Sequence, residues 1–147
     1  MQRDESLDKL VYELQILRGF AENIHQRIDL INNVVVELSL ATATLEGIES
    51  DGGEGSLTLI PIGGGSYIQA KLADVEKLIV GIGANVAVDK TFEEAKEHFQ
   101  ARIIELEQAG ASLKQQLDET AMRMDKTQRE IRMITEQGGA ANDVRGA

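Results

Sequence analysis

Leu57-Thr58-Leu59-Ile60-Pro61-Ile62-Gly63-Gly64-Gly65-Ser66-Tyr67-Ile68-Gln69-Ala70-Lys71 is the stretch on which the reading of the fold turns. Two runs of extended, β-favouring residues flank a triple glycine, the pattern of a β-hairpin whose turn needs positive φ. Pro61 cannot donate to a ladder, so it belongs at a strand edge, a strand end or a bulge. A second hairpin is expected just downstream. There Lys77-Leu78-Ile79-Val80-Gly81-Ile82 leads through Gly83-Ala84-Asn85 into Val86-Ala87-Val88-Asp89. The region 47–89 holds nine of the chain's fourteen glycines and forms a double-hairpin module, with Ser50 to Ser56 as the turn that enters it. Strands of about five residues bury little alone and leave open edges, so this module asks for partner subunits.

Outward from the hairpins the period changes from two to three and a half. On the N-terminal side Leu7, Leu10, Leu14, Leu17, Ala21, Ile24, Ile28, Ile31, Val35, Leu38, Thr42 and Leu45 alternate three and four residues apart, a heptad seam. A helix over 5–46 follows, in which Gly19 is tolerated at a cost of about 1 kcal/mol relative to Ala. On the C-terminal side a second seam runs from Phe92 through Phe99, Ile103, Leu106, Leu113, Leu117, Met124 and Ile131 to Ile134. Lys96, Gly110, Thr120 and Thr127 fill its remaining positions. This predicts a helix over 90–137, capped by Asp89 or by Thr91 with Glu94, and stopped at Gly138 and Gly139 before a flexible tail, 138–147. Two helices of matched length, each with one apolar stripe, satisfy both stripes by folding back as an antiparallel coiled coil.

Composition narrows the function. The 147 residues contain no Cys and no Trp, only 3% aromatics, and 25 acidic against 15 basic residues for a net charge of −10. That sign opposes phosphate neutralisation, so neither nucleic acid nor an anionic membrane surface is an expected partner. The uncharged stretch Gly55 to Ala70 is broken by Pro61 and four glycines and is no membrane span. Absence of Cys removes disulfide, thiolate and Cys-zinc chemistry and leaves the cytoplasm as the default location.

No catalytic, metal or cofactor site is expected, and the chain is read as no enzyme. Gly81-Ile82-Gly83-Ala84-Asn85-Val86 lacks the third glycine and the following helix of a dinucleotide fingerprint. Gly63-Gly64-Gly65-Ser66 lacks the lysine of a phosphate loop. His25 and His98 flank the seams, and Glu93, Glu94, Glu105 and Glu107 lie on solvated faces without a nucleophile or orienter.

The helix ends remote from the hairpins carry more apolar residues than one seam can bury. Leu7, Leu10, Val11, Leu14, Ile16, Leu17 and Phe20 face Met122, Met124, Ile131, Met133 and Ile134, and the flexible thioether of Met suits variable apolar partners. These ends are expected to bind exposed hydrophobic segments of other proteins.

The layout resembles the alpha-type subunit of prefoldin, particularly its archaeal form. The resemblance is carried by Leu59-Ile60-Pro61-Ile62-Gly63-Gly64-Gly65-Ser66-Tyr67-Ile68, by Lys77-Leu78-Ile79-Val80-Gly81-Ile82-Gly83-Ala84-Asn85-Val86, and by the helix start Asp89-Lys90-Thr91-Phe92-Glu93-Glu94-Ala95. It covers nearly the whole chain, and two hairpins rather than one favour the alpha type. It implies an α+β fold, a long antiparallel two-helix coiled coil with two central β-hairpins forming an oligomeric β-barrel platform. It also implies an ATP-independent co-chaperone that captures non-native polypeptides and delivers them to a group II chaperonin. The implied assembly joins two alpha with four beta-type subunits, so each chain has beta-type partners and a second alpha subunit.

Carried onto this sequence, the assembly contacts are Leu57, Leu59, Ile62, Ile68, Ile79, Val80, Ile82, Val86 and Val88, and the client-binding tips are Leu7, Leu10, Leu14, Leu17, Met122, Met124, Ile131 and Ile134. The competing expectation is a tethering coiled-coil scaffold that uses its hairpins for oligomerisation and binds one folded partner.

Overall fold

The computed structural model describes residues 1–73 and 75–145, with side chains through 138. Its order is α1 (Gln2–Ser50), β1 (Leu57–Gly63), β2 (Ser66–Lys71), β3 (Leu78–Gly83), β4 (Val86–Lys90) and α2 (Phe92–Arg145). The chain divides into two compact units. One comprises Met1–Asn32 and Gln108–Ala147, the paired helix ends that carry the termini; the other, Asn33–Glu107, holds the hairpins and the helix segments that flank them.

In the terminal unit Ile24 and Ile28 of α1 close on Leu113 of α2, with Ile31 and Leu117 packed around them. Gly110 faces α1 here: a Cβ there would stand 3.7 Å from Ile31 Cγ2, an ordinary van der Waals contact. Glu13 and Arg123 pair at 3.7 Å, so within this unit the helices run antiparallel. The weak seam positions Thr120 and Thr127 are buried, and each hydroxyl donates to the carbonyl four residues back, Gln116 at 2.7 Å and Arg123 at 2.9 Å. Every predicted seam position from Leu7 to Leu45, and from Phe92 to Ile134, is at least half-buried. The three-four alternation was thus a sufficient signal even where Gly, Thr or Lys stood in it.

In the hairpin unit Leu45, Val80 and Ala95 form the buried centre, covered by Leu78, Phe92 and Phe99. Helix α1 ends in a Schellman-type turn, with the Gly53 amide donating to the Ile48 carbonyl at 3.2 Å and Gly52 at φ 93°. Helix α2 begins with a capping box. The Glu94 amide donates to Thr91 Oγ1 at 3.2 Å, and the Thr91 amide donates to Glu94 Oε2 at 3.3 Å. Asp89, the other capping candidate, is instead a strand residue opposite Ile79.

The two hairpins are built alike. Leu59 pairs with Gln69 and Ile60 with Ile68; twenty residues on, Ile79 pairs with Asp89 and Val80 with Val88. The register shifts between Pro61 and Gly63 in one and between Gly81 and Gly83 in the other, leaving Ile62 and Ile82 as the extra, bulged residues. The turns are Gly64-Gly65 and Ala84-Asn85, all four at positive φ as a type I′ hairpin requires. Pro61 therefore borders a bulge, one of the positions open to it.

Two expectations need correction. The barrel platform is not formed: β1–β2 and β3–β4 are two separate two-stranded antiparallel sheets, and neither closes or curls. The reason is local, since each hairpin satisfies its ladder internally and every outer edge stays unpaired. Helix α2 passes through Gly138 and Gly139 to Arg145. Glycine lowers helix propensity by about 1 kcal/mol but ends a helix only when it turns left-handed. Of the expected flexible tail, the side chains from 139 and the whole of 146 and 147 lie outside the described residues. Finally, α1 has the length and apolarity of a membrane span. Its seam residues, however, face α2 inside each unit.

Candidate functional site

Two sets of exposed apolar side chains stand out, one in each unit. In the hairpin unit the first hairpin is exposed on both faces: Leu57, Leu59, Ile60, Ile62, Tyr67 and Ile68 are all open to solvent. Between Leu57 and Ala70 there is no charged side chain, so neither edge of this hairpin is blunted by charge.

The second hairpin behaves differently. Val80 is 3% exposed and, with Leu78, packs one face onto Leu45, Ala95, Phe92 and Phe99, while Ile79, Ile82 and Val86 stay open and Val88 is half-buried. Beside its turn lies an open groove of about 580 Å³, bordered by Val34, Leu38, Ile82, Phe99 and Arg102. Of the nine assembly candidates, Val80 is thus already used inside the chain.

Across the base of this unit Lys96 Nζ reaches Glu49 Oε2 at 2.8 Å and Glu93 Oε2 at 3.6 Å. The hydrogen bond that Lys96 donates to Glu49 holds the Lys96 pKa above its ordinary 10.5, aided by the charges of both carboxylates and opposed by partial desolvation. This ties the two helices at a seam position that offers no apolar knob.

In the terminal unit the structure separates the client-binding candidates by environment. Leu14 and Leu17 are buried in the seam, Leu7, Leu10, Met124, Ile131 and Ile134 are half-buried along it, and Met122 stands exposed. The exposed apolar side chains of this unit also include Tyr12, Ile16, Phe20 and Met133. Heptad counting ranks residues by membership of the seam, whereas availability depends on distance from it, so a count of non-seam apolar positions is the signal that finds these.

His25 is exposed and His98 half-buried in the groove beside β3. Among the described residues no cluster of His, Asp and Glu could hold a metal ion.

The family model described as Prefoldin subunit matches residues 17–137, most of both helices and all four strands. The chain belongs to the prefoldin family. Prefoldins are non-catalytic co-chaperones that deliver unfolded proteins to chaperonins, and they generally form hetero-oligomers with beta subunits. The chain is of the archaeal alpha type. It is 29% identical over 133 residues to prefoldin subunit alpha of Pyrococcus horikoshii, covering 90% of each chain. It is 37% identical over 113 residues to prefoldin subunit alpha of Methanopyrus kandleri, covering 77% of this chain and 71% of that one. Among solved structures, filamentous PFD from Methanocaldococcus jannaschii, determined by cryo-EM, superposes with a TM-score of 0.67 at 22% identity, over 84% of this chain and 98% of that one. That likeness shows the fold.

Proposed function

We propose that this prefoldin subunit works as one of two alpha chains in a heterohexamer with four beta-type subunits. The helix ends of the terminal unit hold non-native polypeptides until a group II chaperonin receives them. The observation that carries the assembly half is the first hairpin, which is uncharged from Leu57 to Ala70, largely apolar and exposed on both faces. Such a surface is an aggregation hazard in a monomer and a docking element in an oligomer. Leu57, Leu59, Ile62, Ile68, Ile79, Ile82, Val86 and Val88 supply its contacts and those of the second hairpin, with Val80 anchoring the latter from beneath.

The capture half rests on apolar side chains at the helix ends, with Leu7, Leu10, Leu14, Leu17, Met122, Met124, Ile131 and Ile134 as the binding set. Several weak contacts on linked subunits act together because each raises the effective concentration of the next. A cytoplasmic location is supported by membership of the family and by the absence of cysteine.

Native mass spectrometry of the chain co-expressed with its beta-type partner tests the stoichiometry: two alpha to four beta is expected, and any other ratio overturns it. The same complex should suppress aggregation of a denatured protein diluted into buffer without added nucleotide. No suppression would remove the capture half and leave a scaffold.

A further inference from the structure

Sulfur in this chain is concentrated in one place. There is no Cys, and of the four methionines one is Met1 and the other three, Met122, Met124 and Met133, fall within twelve residues of α2. Their environments differ. Met124 is half-buried in the seam, between the buried Thr120 and Thr127. Met122 and Met133 are 67% and 59% exposed. Met122 stands two residues before the seam position Met124 and Met133 two residues after the seam position Ile131, so each lies about 160° around the helix from its seam neighbour. Eleven residues make close to three helical turns, which puts both thioethers on one outward face, about 16 Å apart.

A second observation concerns what stands beside them. Each exposed thioether has a cation four residues away, Lys126 after Met122 and Arg129 before Met133. Met122, Lys126, Arg123 and Glu119 border one open groove of about 390 Å³, and Arg129 is held by Asp125 at 2.7 Å. From Met122 to Met133 there are four basic against two acidic residues, in a chain whose net charge is −10. An exposed thioether is the one that oxidants reach, and neighbouring cations are donors for the sulfoxide oxygen that results.

We propose that Met122 and Met133 form a reversible oxidation site on α2, with a hydroperoxide as its reagent. The thioether sulfur attacks one oxygen of hydrogen peroxide and the O–O bond breaks. The other oxygen departs as hydroxide and takes the proton of the transferred one, leaving sulfoxide and water; sulfur loses the two electrons that peroxide gains. Lys126 and Arg129 then donate hydrogen bonds to the new oxygens, and because this face lies opposite the seam the helix pair stays closed. Sulfoxide reductases reverse the step, two thiols becoming a disulfide as the oxygen leaves in water. The face thereby switches from apolar to polar. Its effect on capture rests on the capture reading of this helix end, in which Met122 is one of the binding set: oxidation weakens the hold on apolar segments.

The test exposes the complete hetero-oligomer to hydrogen peroxide and follows each methionine by peptide mass. Met122 and Met133 should gain one oxygen about tenfold faster than Met124, with native mass and helicity unchanged, and sulfoxide reductases with dithiothreitol should remove it. Equal rates at all three, or loss of the assembly as the two outer positions fill, would overturn the site. Suppression of light scattering by guanidine-unfolded, reduced lysozyme, measured after catalase has removed the peroxide, reads the effect on capture. Oxidation should raise the concentration giving half-suppression about twofold and reduction should restore it. The double variant Met122→Leu, Met133→Leu has apolar side chains without sulfur, so its own half-suppression concentration should be the same before and after peroxide. A double variant that peroxide impairs as much as wild type would overturn the switch. An untreated wild type that captures nothing would overturn the capture reading, while the ratio of oxidation rates still decides the site.

Discussion

The two units use apolar surface in opposite ways. The terminal unit buries its seam and leaves apolar side chains exposed outside it, at nearly balanced charge, ten basic against twelve acidic residues. The hairpin unit exposes a whole two-stranded sheet and carries five basic against thirteen acidic residues, a net of −8. On the proposed roles, the helix ends that meet unrelated clients belong to the unit of low net charge. Where the exposed sheet must wait for a defined partner, the helix segments beside it are strongly acidic, and two such units repel one another across any gap that salt does not screen. Charge density thus separates an adaptable surface from a selective one.

The sharpest way to break this comparison is to cut the seam and the exposed face at matched residues. Ile24→Ala removes a side chain at the centre of the terminal core and should destabilise the chain by about 3 kcal/mol. Ile16→Ala, two turns away on the exposed face, should cost no more than about 0.5 kcal/mol. Thermal unfolding followed by circular dichroism reads both, and equal losses would mean that Ile16 is structural. A similar pair exists in the hairpin unit. Val80→Ala should cost about 2 kcal/mol, since burying a valine is worth about 1.5–3, whereas Ile79→Ala should leave unfolding unchanged and weaken assembly with the beta-type partner in native mass spectra.

A smaller effect sharpens the junction between strands and helix. Thr91→Ala deletes the acceptor for the Glu94 amide and the start of the capping box, and should cost about 1 kcal/mol. Asp89→Ala should cost less, because Asp89 is a strand residue and not the cap. The reverse order would reassign the helix start.

The helices were readable because a heptad is a statement about neighbours along one helix face, and α1 and α2 satisfy it internally. The hairpins were readable because Gly64-Gly65 and Ala84-Asn85 sit between extended runs. The barrel platform came from the resemblance and not from these residues, and it is not formed, because each hairpin satisfies its ladder internally and the two sheets stay separate. The end of α2 escaped for a different reason. Gly138 and Gly139 are poor helix formers, but a glycine closes a helix where it turns left-handed, as Gly52 does for α1.

The turns of the two hairpins differ at both central positions, and the difference at the first is measurable. Gly64 at φ 57° has no Cβ to strain, whereas Ala84 holds φ 50° against the left-handed penalty of about 1–2 kcal/mol. Part of that penalty is offset because alanine restricts the unfolded chain more than glycine does. Ala84→Gly should therefore stabilise the chain by about 0.5–1 kcal/mol, and Gly64→Ala should destabilise it by a similar amount. Opposite signs at equivalent sites would establish that the turns are the same device.

The smallest expected effect concerns Lys96, the one cation that occupies a seam position. Its partners are Glu49 across the helix pair and Glu93 one turn back, and together they raise its pKa in the folded chain. A group whose folded pKa is raised contributes stability that is full below its unfolded value and fades as pH climbs through the folded one. The contribution should accordingly be constant from neutral pH to about pH 10 and disappear above 10.5. The site is partly solvated, so salt should weaken it as well. Comparing melting temperatures of wild type and Lys96→Met isolates this term: a difference that holds steady to pH 10 and then changes marks the ion pair as the link across the seam. A difference independent of pH throughout would show instead that the methylene stem, packed among seam residues, is what Lys96 contributes.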